Sequence, residues 1–190
     1  MMFEHVTILL SFVFAIALTH ILTSTTELVW ARRRVRISWL QLLWMLSAVI
    51  SIVINWIALG PLAAIKKWTP LEIIIQFVAA IVQYYTCSLI SIRPKEGGPV
   101  DMPAFYEEER PSIFAAYSLL MIVGIFQNFW DAKNYGMTQS QMFVAIGIVL
   151  LMLVATVTAG WAKPRWAQWV AAIGMLVLQG YFLIQYMLIS

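Results

Sequence analysis

Residues 3–30 read FEHVTILLSFVFAIALTHILTSTTELVW and are followed, at 31–36, by ARRRVR. The first stretch is roughly 25 residues of nearly uninterrupted apolar sequence, long enough for a helix to cross a bilayer with some tilt. The second is a basic knot that ends it. Glu4 precedes the apolar run and four arginines follow it. A cleaved signal peptide has the opposite order, with a basic region first and a shorter apolar core. The segment therefore reads as an uncleaved anchor whose N-terminus lies outside. It also holds His20, the one histidine set deep within an apolar run, His5 lying at the start of this one.

The rest of the chain has the same character. Of its 190 residues 62% are hydrophobic and 11% charged, far from the balance of a soluble domain. A soluble fold of this size has too little interior to hide so much apolar surface, so the bilayer is the expected solvent. The net charge of +3 then reports where loops lie relative to the membrane, and nucleic acid is not an expected partner. The single cysteine, Cys87, excludes an internal disulfide and a cysteine-based metal cluster.

Six apolar runs follow one another at about 4–30, 39–60, 70–92, 112–132, 139–162 and 165–189. Only helices and closed barrels satisfy their backbone groups inside hydrocarbon. Barrel strands would show short segments of alternating polarity, and these runs do not alternate. The expected fold is all-α, a polytopic bundle of six transmembrane helices in a single domain, 1–190, with a loop at 93–111.

Capping patterns mark the helix starts. Ser38 with Gln41, Thr69 with Glu72 and Thr138 with Gln141 fit the capping box, in which the N-cap hydroxyl and the N3 side chain satisfy each other's backbone donors. Pro70 occupies the favoured first helical position, and Pro111 and Pro164 are expected to open helices four and six likewise. Gly60-Pro61, Pro94 and Asn134-Tyr135-Gly136 are expected to follow helices two, three and four.

Lysines and arginines set the orientation. If the loop at Arg32–Arg36 is cytoplasmic, that side collects Arg32, Arg33, Arg34, Arg36, Arg93, Lys95, Arg110, Lys163 and Arg165, against Lys66, Lys67 and Lys133 opposite. The asymmetry follows the positive-inside rule and puts both termini on the outer, periplasmic side of a bacterial inner membrane. Trp30, Trp39, Trp161, Trp166 and Trp169 then form an inner aromatic belt, with Trp68 and Trp130 in the outer one. An inverted 3+3 repeat is compatible with this topology, but no matching residues support it.

The one substantial loop contains Gly97-Gly98-Pro99, a break, and then Asp101 to Arg110, where Asp101 and Pro103 suggest a short helix start. Phe105 and Tyr106 are expected in the headgroup region. With Arg32, Arg33 and Arg34 they are the candidate contacts for lipid or a partner. Glu107-Glu108-Glu109-Arg110 is superficially similar to the glutamate motif of intramembrane CAAX-type proteases, but the arginine spacing differs and the partner histidines are missing. A solvated loop is the preferred reading.

His20, Thr23 or Ser24, and Glu27 share one helical stripe. An ionisable group within a span is a functional hypothesis by default, because burying charge in hydrocarbon is costly. A line from histidine to carboxylate is suited to relaying protons or holding a polar ligand group. The preferred reading is structural: a neutral histidine bonded to a neighbouring helix, with Glu27 paired to Arg32 or Arg33. Glu72 is explained by its capping box.

Gln83, Tyr84, Tyr85 and Ser88, with Tyr117 and Ser118, fall near the depth of His20. If the chain has a ligand or relay site, it is expected at His20, Glu27, Gln83, Tyr84 and Tyr117. In the outer half Asn55, Gln127, Asn128, Gln179 and Gln185 should turn into the bundle, either as interhelical bonds, the preferred reading, or as the lining of a small polar cavity. Small residues at Ser11-Ala15-Thr19, Ser47-Ser51 and Ala155-Ala159 allow close helix approach, and internal packing is the preferred explanation. Ten methionines add an adaptable apolar surface.

The runs Thr19-His20-Ile21-Leu22, Arg32-Arg33-Arg34-Val35-Arg36 with Trp39, and Leu42-Leu43-Trp44 resemble a loose family of small bacterial six-helix inner-membrane proteins. The resemblance extends through Trp68-Thr69 and the loop from Asp101 to Arg110, the first two thirds of the chain. It implies the six-helix fold and carries no activity, since the family has no assigned function. In size and helix number the chain is also similar to the substrate-binding components of energy-coupling vitamin transporters, without their characteristic residues, and in tryptophan content alone to the translocator-protein family.

With no nucleophile beside a matched base and no histidine cluster, neither an enzyme nor a cofactor or metal site is expected. The expected function is that of a non-enzymatic accessory or structural subunit binding membrane lipids or partner helices, including those of a homo-oligomer. The alternative is a small proton or solute transporter using His20 and Glu27.

Overall fold

A computed structural model of the chain describes residues 2–64, 68–93, 98–134 and 138–189. Lys66, Lys67, Pro94, Lys95, Gly97, Tyr135 and Gly136 lie outside the described residues. The protein is 88% helical, and six of its helices are long and apolar enough to cross a membrane. They are α1 (Met2–Trp30), α2 (Trp39–Ile57), α3 (Pro70–Ile90), α4 (Met102–Asn134), α5 (Gln139–Trp161) and α6 (Arg165–Ile189). Single 3₁₀ turns follow α1 at Arg32–Arg34 and α2 at Gly60–Ala64.

The caps explain most of these boundaries. Thr69 with Glu72 and Thr138 with Gln141 form complete capping boxes, and Pro70 opens α3. At α2 only half the expected box forms. Ser38 accepts from the Gln41 backbone N–H, but the Gln41 side chain is fully buried and donates to the Ile90 carbonyl at 2.8 Å. A tertiary bond to the end of α3 has replaced the local one, because a buried amide needs its partner where the packing puts it.

Helix α4 differs most from expectation. It does not begin at Pro111 but at Met102, with Pro111 inside it. Asp101 is the group that caps it, accepting from the Ala104 N–H at 3.0 Å, the role short acidic side chains fill at helix N-termini. The stretch expected as a loop thus contributes extra turns of helix on the basic-loop side. Proline removes one intrahelical bond but does not end a helix whose flanks are held by packing.

In neighbour order the helices run α1–α3–α4–α5–α6–α2, and α2 returns to α1 to close a ring, touching α3 and α4 as well. One apolar core runs through all six. A second, smaller core of Leu28, Ile92, Val100 and Met102 sits under the loops at the basic end. There β1 (Val35–Arg36) pairs in parallel with β2 (Val100–Asp101), and Arg36 meets Asp101 at 3.2 Å. This strap ties the α1–α2 connection to the start of α4.

The outer surface is apolar, with Phe12, Phe126, Phe143, Val154, Val170 and Val177 among its exposed side chains. Trp30, Trp39, Trp161, Trp166 and Trp169 are exposed around the basic end, as an aromatic belt requires. Trp68 and Trp130 behave differently: each is half-buried, with a covered indole N–H.

Candidate functional site

Two polar regions stand out, one on the outside of the ring and one within it. The outer one begins at His20. Its Nε2 lies 3.2 Å from Tyr84 Oη across the α1–α3 contact, with the rings edge-to-face at 5.2 Å. One turn on, Ser24 Oγ donates to the Ile92 carbonyl at 2.7 Å and fastens the chain leaving α3 to α1. Thr19, His20, Thr23, Glu27 and Arg93 line a groove of about 340 Å³. Ile16, Thr19 and Thr23 are exposed, so the groove opens outward. The histidine bond expected from the sequence is present. The expected pairing of Glu27 is not: among the described residues Glu27 makes no ion pair with Arg32 or Arg33, and Arg32, Arg33 and Arg34 are all exposed.

Gln83 and Tyr117 belong elsewhere. Adjacent helical residues point about 100° apart, so Tyr84 faces α1 while Gln83 faces the interior. There Gln83 Oε1 accepts from Asn55 Nδ2 at 2.9 Å, and its Nε2 lies 3.3 Å from Cys87 Sγ. Tyr85 points outward. Ser118 bonds Thr156 across α4–α5 at 3.0 Å. Tyr117 is fully buried and donates to the Trp44 carbonyl at 2.8 Å.

Tyr106, expected at the headgroups, is instead 2% exposed, its ring 6.1 Å from that of Phe114. Phe105 is half-buried and packs against both cores. The early start of α4 is the reason. Once residues 102–111 are helical, Tyr106, Arg110, Ile113 and Tyr117 recur on one face, and that face turns inward. Arg110 is drawn in too, meeting Glu107 at 3.3 Å and the Ala162 carbonyl at 3.5 Å. Trp44, Phe114 and Tyr117 then close on one another, with Trp44–Phe114 centroids 4.7 Å apart and Trp44–Tyr117 centroids 5.4 Å apart. They fill the middle of the ring in its basic-end half.

In the opposite half the middle is hollow. A chamber of about 120 Å³ takes its wall from all six helices and gathers Ser51, Asn55, Gln76, Gln127, Asn128 and Gln179. Four of these amides were expected to turn inward, and they do. Gln76 was missed, although it is the one amide in the first turns of α3. It accepts from Gln127 Nε2 at 2.8 Å. Gln179 Nε2 donates to the Ser47 carbonyl and to Ser51 Oγ, at 3.1 and 2.7 Å. Gln185 is not part of the chamber and bonds Tyr181 Oη at 3.1 Å.

No group of three or more histidine, cysteine or acidic side chains suited to a metal occurs among the described residues. The fold and these two regions define a class, a ring of six helices long and apolar enough to cross a membrane, with a polar groove outside and a polar chamber inside. No protein-family model, curated protein or solved structure matches the chain.

Proposed function

We propose that this chain is a non-enzymatic integral membrane subunit, in a bacterial inner membrane with its basic loops cytoplasmic and both termini periplasmic, which binds a transmembrane helix of a neighbouring protein along α1. The observation that carries the reading is the outward polar groove at His20, Thr23 and Glu27. Polar groups facing hydrocarbon are costly, and helices in membranes use such groups to bond to one another. Two further features support it. Helix α1 is the least covered of the six, with 28% of its most apolar stretch buried against 44% for α2. Its Ser11-Ala15-Thr19 stripe, expected to serve internal packing, has Ala15 and Thr19 exposed, which leaves a small-residue track on which a second backbone can approach closely.

The alternative, a small transporter using His20 and Glu27, draws on the 3.2 Å contact of His20 with Tyr84. Against it stands the aromatic cluster of Trp44, Phe114 and Tyr117, whose rings pack against one another within the ring. Native mass spectrometry of the protein, extracted gently from its own membrane, tests the docking reading. A defined membrane protein, or a second copy of the chain, should accompany the wild type and be lost on Ala15→Trp. A solitary wild-type protein, or one carrying lipid alone, would count against it.

A further inference from the structure

The groove leaves the chamber unused, and the chamber has a chemistry of its own. Its polar wall is made of neutral amides and a hydroxyl; among the described residues no Asp, Glu, Lys, Arg or His lines it. Two of the amides have an orientation that can be read without ambiguity. Gln179 Nε2 lies 3.1 Å from the Ser47 backbone carbonyl, and Asn128 Nδ2 lies 2.8 Å from that of Gly124. A carbonyl only accepts, so the nitrogen must be the atom facing it in both cases. The amide oxygens are therefore the atoms left over. Gln179 is 1% exposed, and its Oε1 is buried with no partner among the described residues. Asn128 is half-buried, and the one hydrogen bond found for its side chain among the described residues is that from Nδ2. Gln127 and Asn55 also commit their nitrogens to the protein, to Gln76 and Gln83. Apart from Gln76, whose oxygen serves Gln127 and whose nitrogen is left over, the amides leave their acceptors over, and they do so without formal charge.

The chamber is also blind. Tyr117 stands one helical turn before Met121, and Ser47 one turn before Ser51, on the walls of α4 and α2. At the level of Tyr117, Trp44 and Phe114 the ring is solid. A volume of about 120 Å³ has room for several water molecules, since one needs only ~10–15 Å³ of such space.

We propose that this chamber is a binding site for a small uncharged molecule rich in hydroxyl or N–H donors, of the polyol or urea type, held by the oxygens of Asn128 and Gln179. A free cation would enter a low-dielectric interior with no carboxylate to offset its lost hydration. A ligand that only accepts hydrogen bonds would find the nitrogens of Asn55, Gln127, Asn128 and Gln179 each bonded to the protein, leaving Gln76 Nε2 as the amide nitrogen with no bond among the described residues. The proposal is independent of docking along α1, whose groove residues it does not use.

The test uses the full chain in lipid nanodiscs, glycerol as the probe, and saturation-transfer difference NMR, which reads weak binding directly; empty nanodiscs supply the background. Wild-type protein should transfer saturation to glycerol in a saturable manner. Asn128→Leu removes one acceptor, and Gly124→Leu puts bulk into the wall at a position where a Cβ would meet only Val149 Cγ1, at 3.6 Å. Each should weaken binding at least ~fivefold, the size of one lost hydrogen bond, with an unchanged helical circular-dichroism spectrum confirming the fold. If one variant fails to fold, the other carries the test. Equal transfer in wild type and variants, or none that saturates in wild type, would overturn the proposal. Displacement of glycerol by a lower concentration of ammonium chloride would overturn it too, by making the site one for cations.

Discussion

The two halves of the ring are built from the same six helices and resemble each other little. In the basic-end half Trp44, Tyr106, Phe114 and Tyr117 converge and the interior is solid. In the opposite half Asn55, Gln76, Gln127, Asn128 and Gln179 converge and the interior is hollow. The contrast shows what drives packing when lipid replaces water. Hydrocarbon outside is as apolar as leucine inside, so burial as such favours neither half, and van der Waals contact and interhelical hydrogen bonds decide. Aromatic rings pack edge-to-face, as Trp44 does on Phe114, or stacked, as Phe114 does on Tyr117, and fill space either way. Amides must reach a partner in a fixed direction. In the far half Gln127 reaches Gln76 and Gln179 reaches Ser51 between neighbouring helices, Asn55 reaches Gln83 from α2 to α3, and a hollow remains between these bonds.

If the solid half carries the stability, Trp44→Ala should be the most damaging single substitution. It removes a fully buried ring at the centre of the aromatic cluster and should cost ~3–5 kcal/mol in reversible unfolding in mixed micelles. A loss no larger than that of Asn55→Ala would erase the difference between the halves.

A pair of glycines sharpens the comparison at smaller amplitude. A Cβ at Gly160 would fall 2.9 Å from Phe114 Cβ, whereas one at Gly124 would meet only ordinary contact. Gly160→Ala should therefore cost ~1–3 kcal/mol by forcing α4 and α5 apart. Gly124→Ala, on the chamber wall, should be neutral or slightly stabilising, because alanine is the better helix former. The two melting temperatures measured side by side decide it. Equal shifts would mean that α4 and α5 pack no more tightly in one half than in the other.

The smallest effect is expected at the strap. Arg36 and Asp101 are 74% and 44% exposed, and an ion pair so open to solvent contributes at most ~1 kcal/mol. Arg36→Gln should leave the unfolding midpoint nearly unchanged, because Val35, Val100 and Met102 hold the strap through their own small core. A large loss would show that the basic end depends on charge as well as on packing.

Much of this was legible in the residues. The six runs, the full capping boxes at Thr69 and Thr138 and the exposed tryptophans of the basic end all rest on local signals, and all are found. Of the five amides Asn55, Gln127, Asn128, Gln179 and Gln185, the first four turn inward, as expected from the cost of placing them in lipid. The expectations that failed depended on distant partners. Gln41 satisfies the carbonyl of Ile90 instead of its own cap. Pro111, a helix start by local rule, lies within α4 because Asp101 caps that helix earlier and the strap holds Asp101 in place. Tyr106 and Tyr117 turn inward as a consequence, and neither lines the groove with His20.

The six helices long and apolar enough to cross a membrane, and most of their ends, were already written in the residue order. Length, hydropathy and capping are properties of a few neighbouring residues, and a bilayer of fixed thickness reads them directly. Which side of each helix faces the axis, which half is filled and which is hollow, and the division of Gln83 and Tyr84 between different regions were settled only by packing. In a soluble protein the contrast between apolar and polar faces would have announced those choices. In this chain most residues on the inward and outward faces alike are apolar, so outside the few polar positions the choice passed to the shapes of side chains and the directions of hydrogen bonds, which exist only once the helices have met.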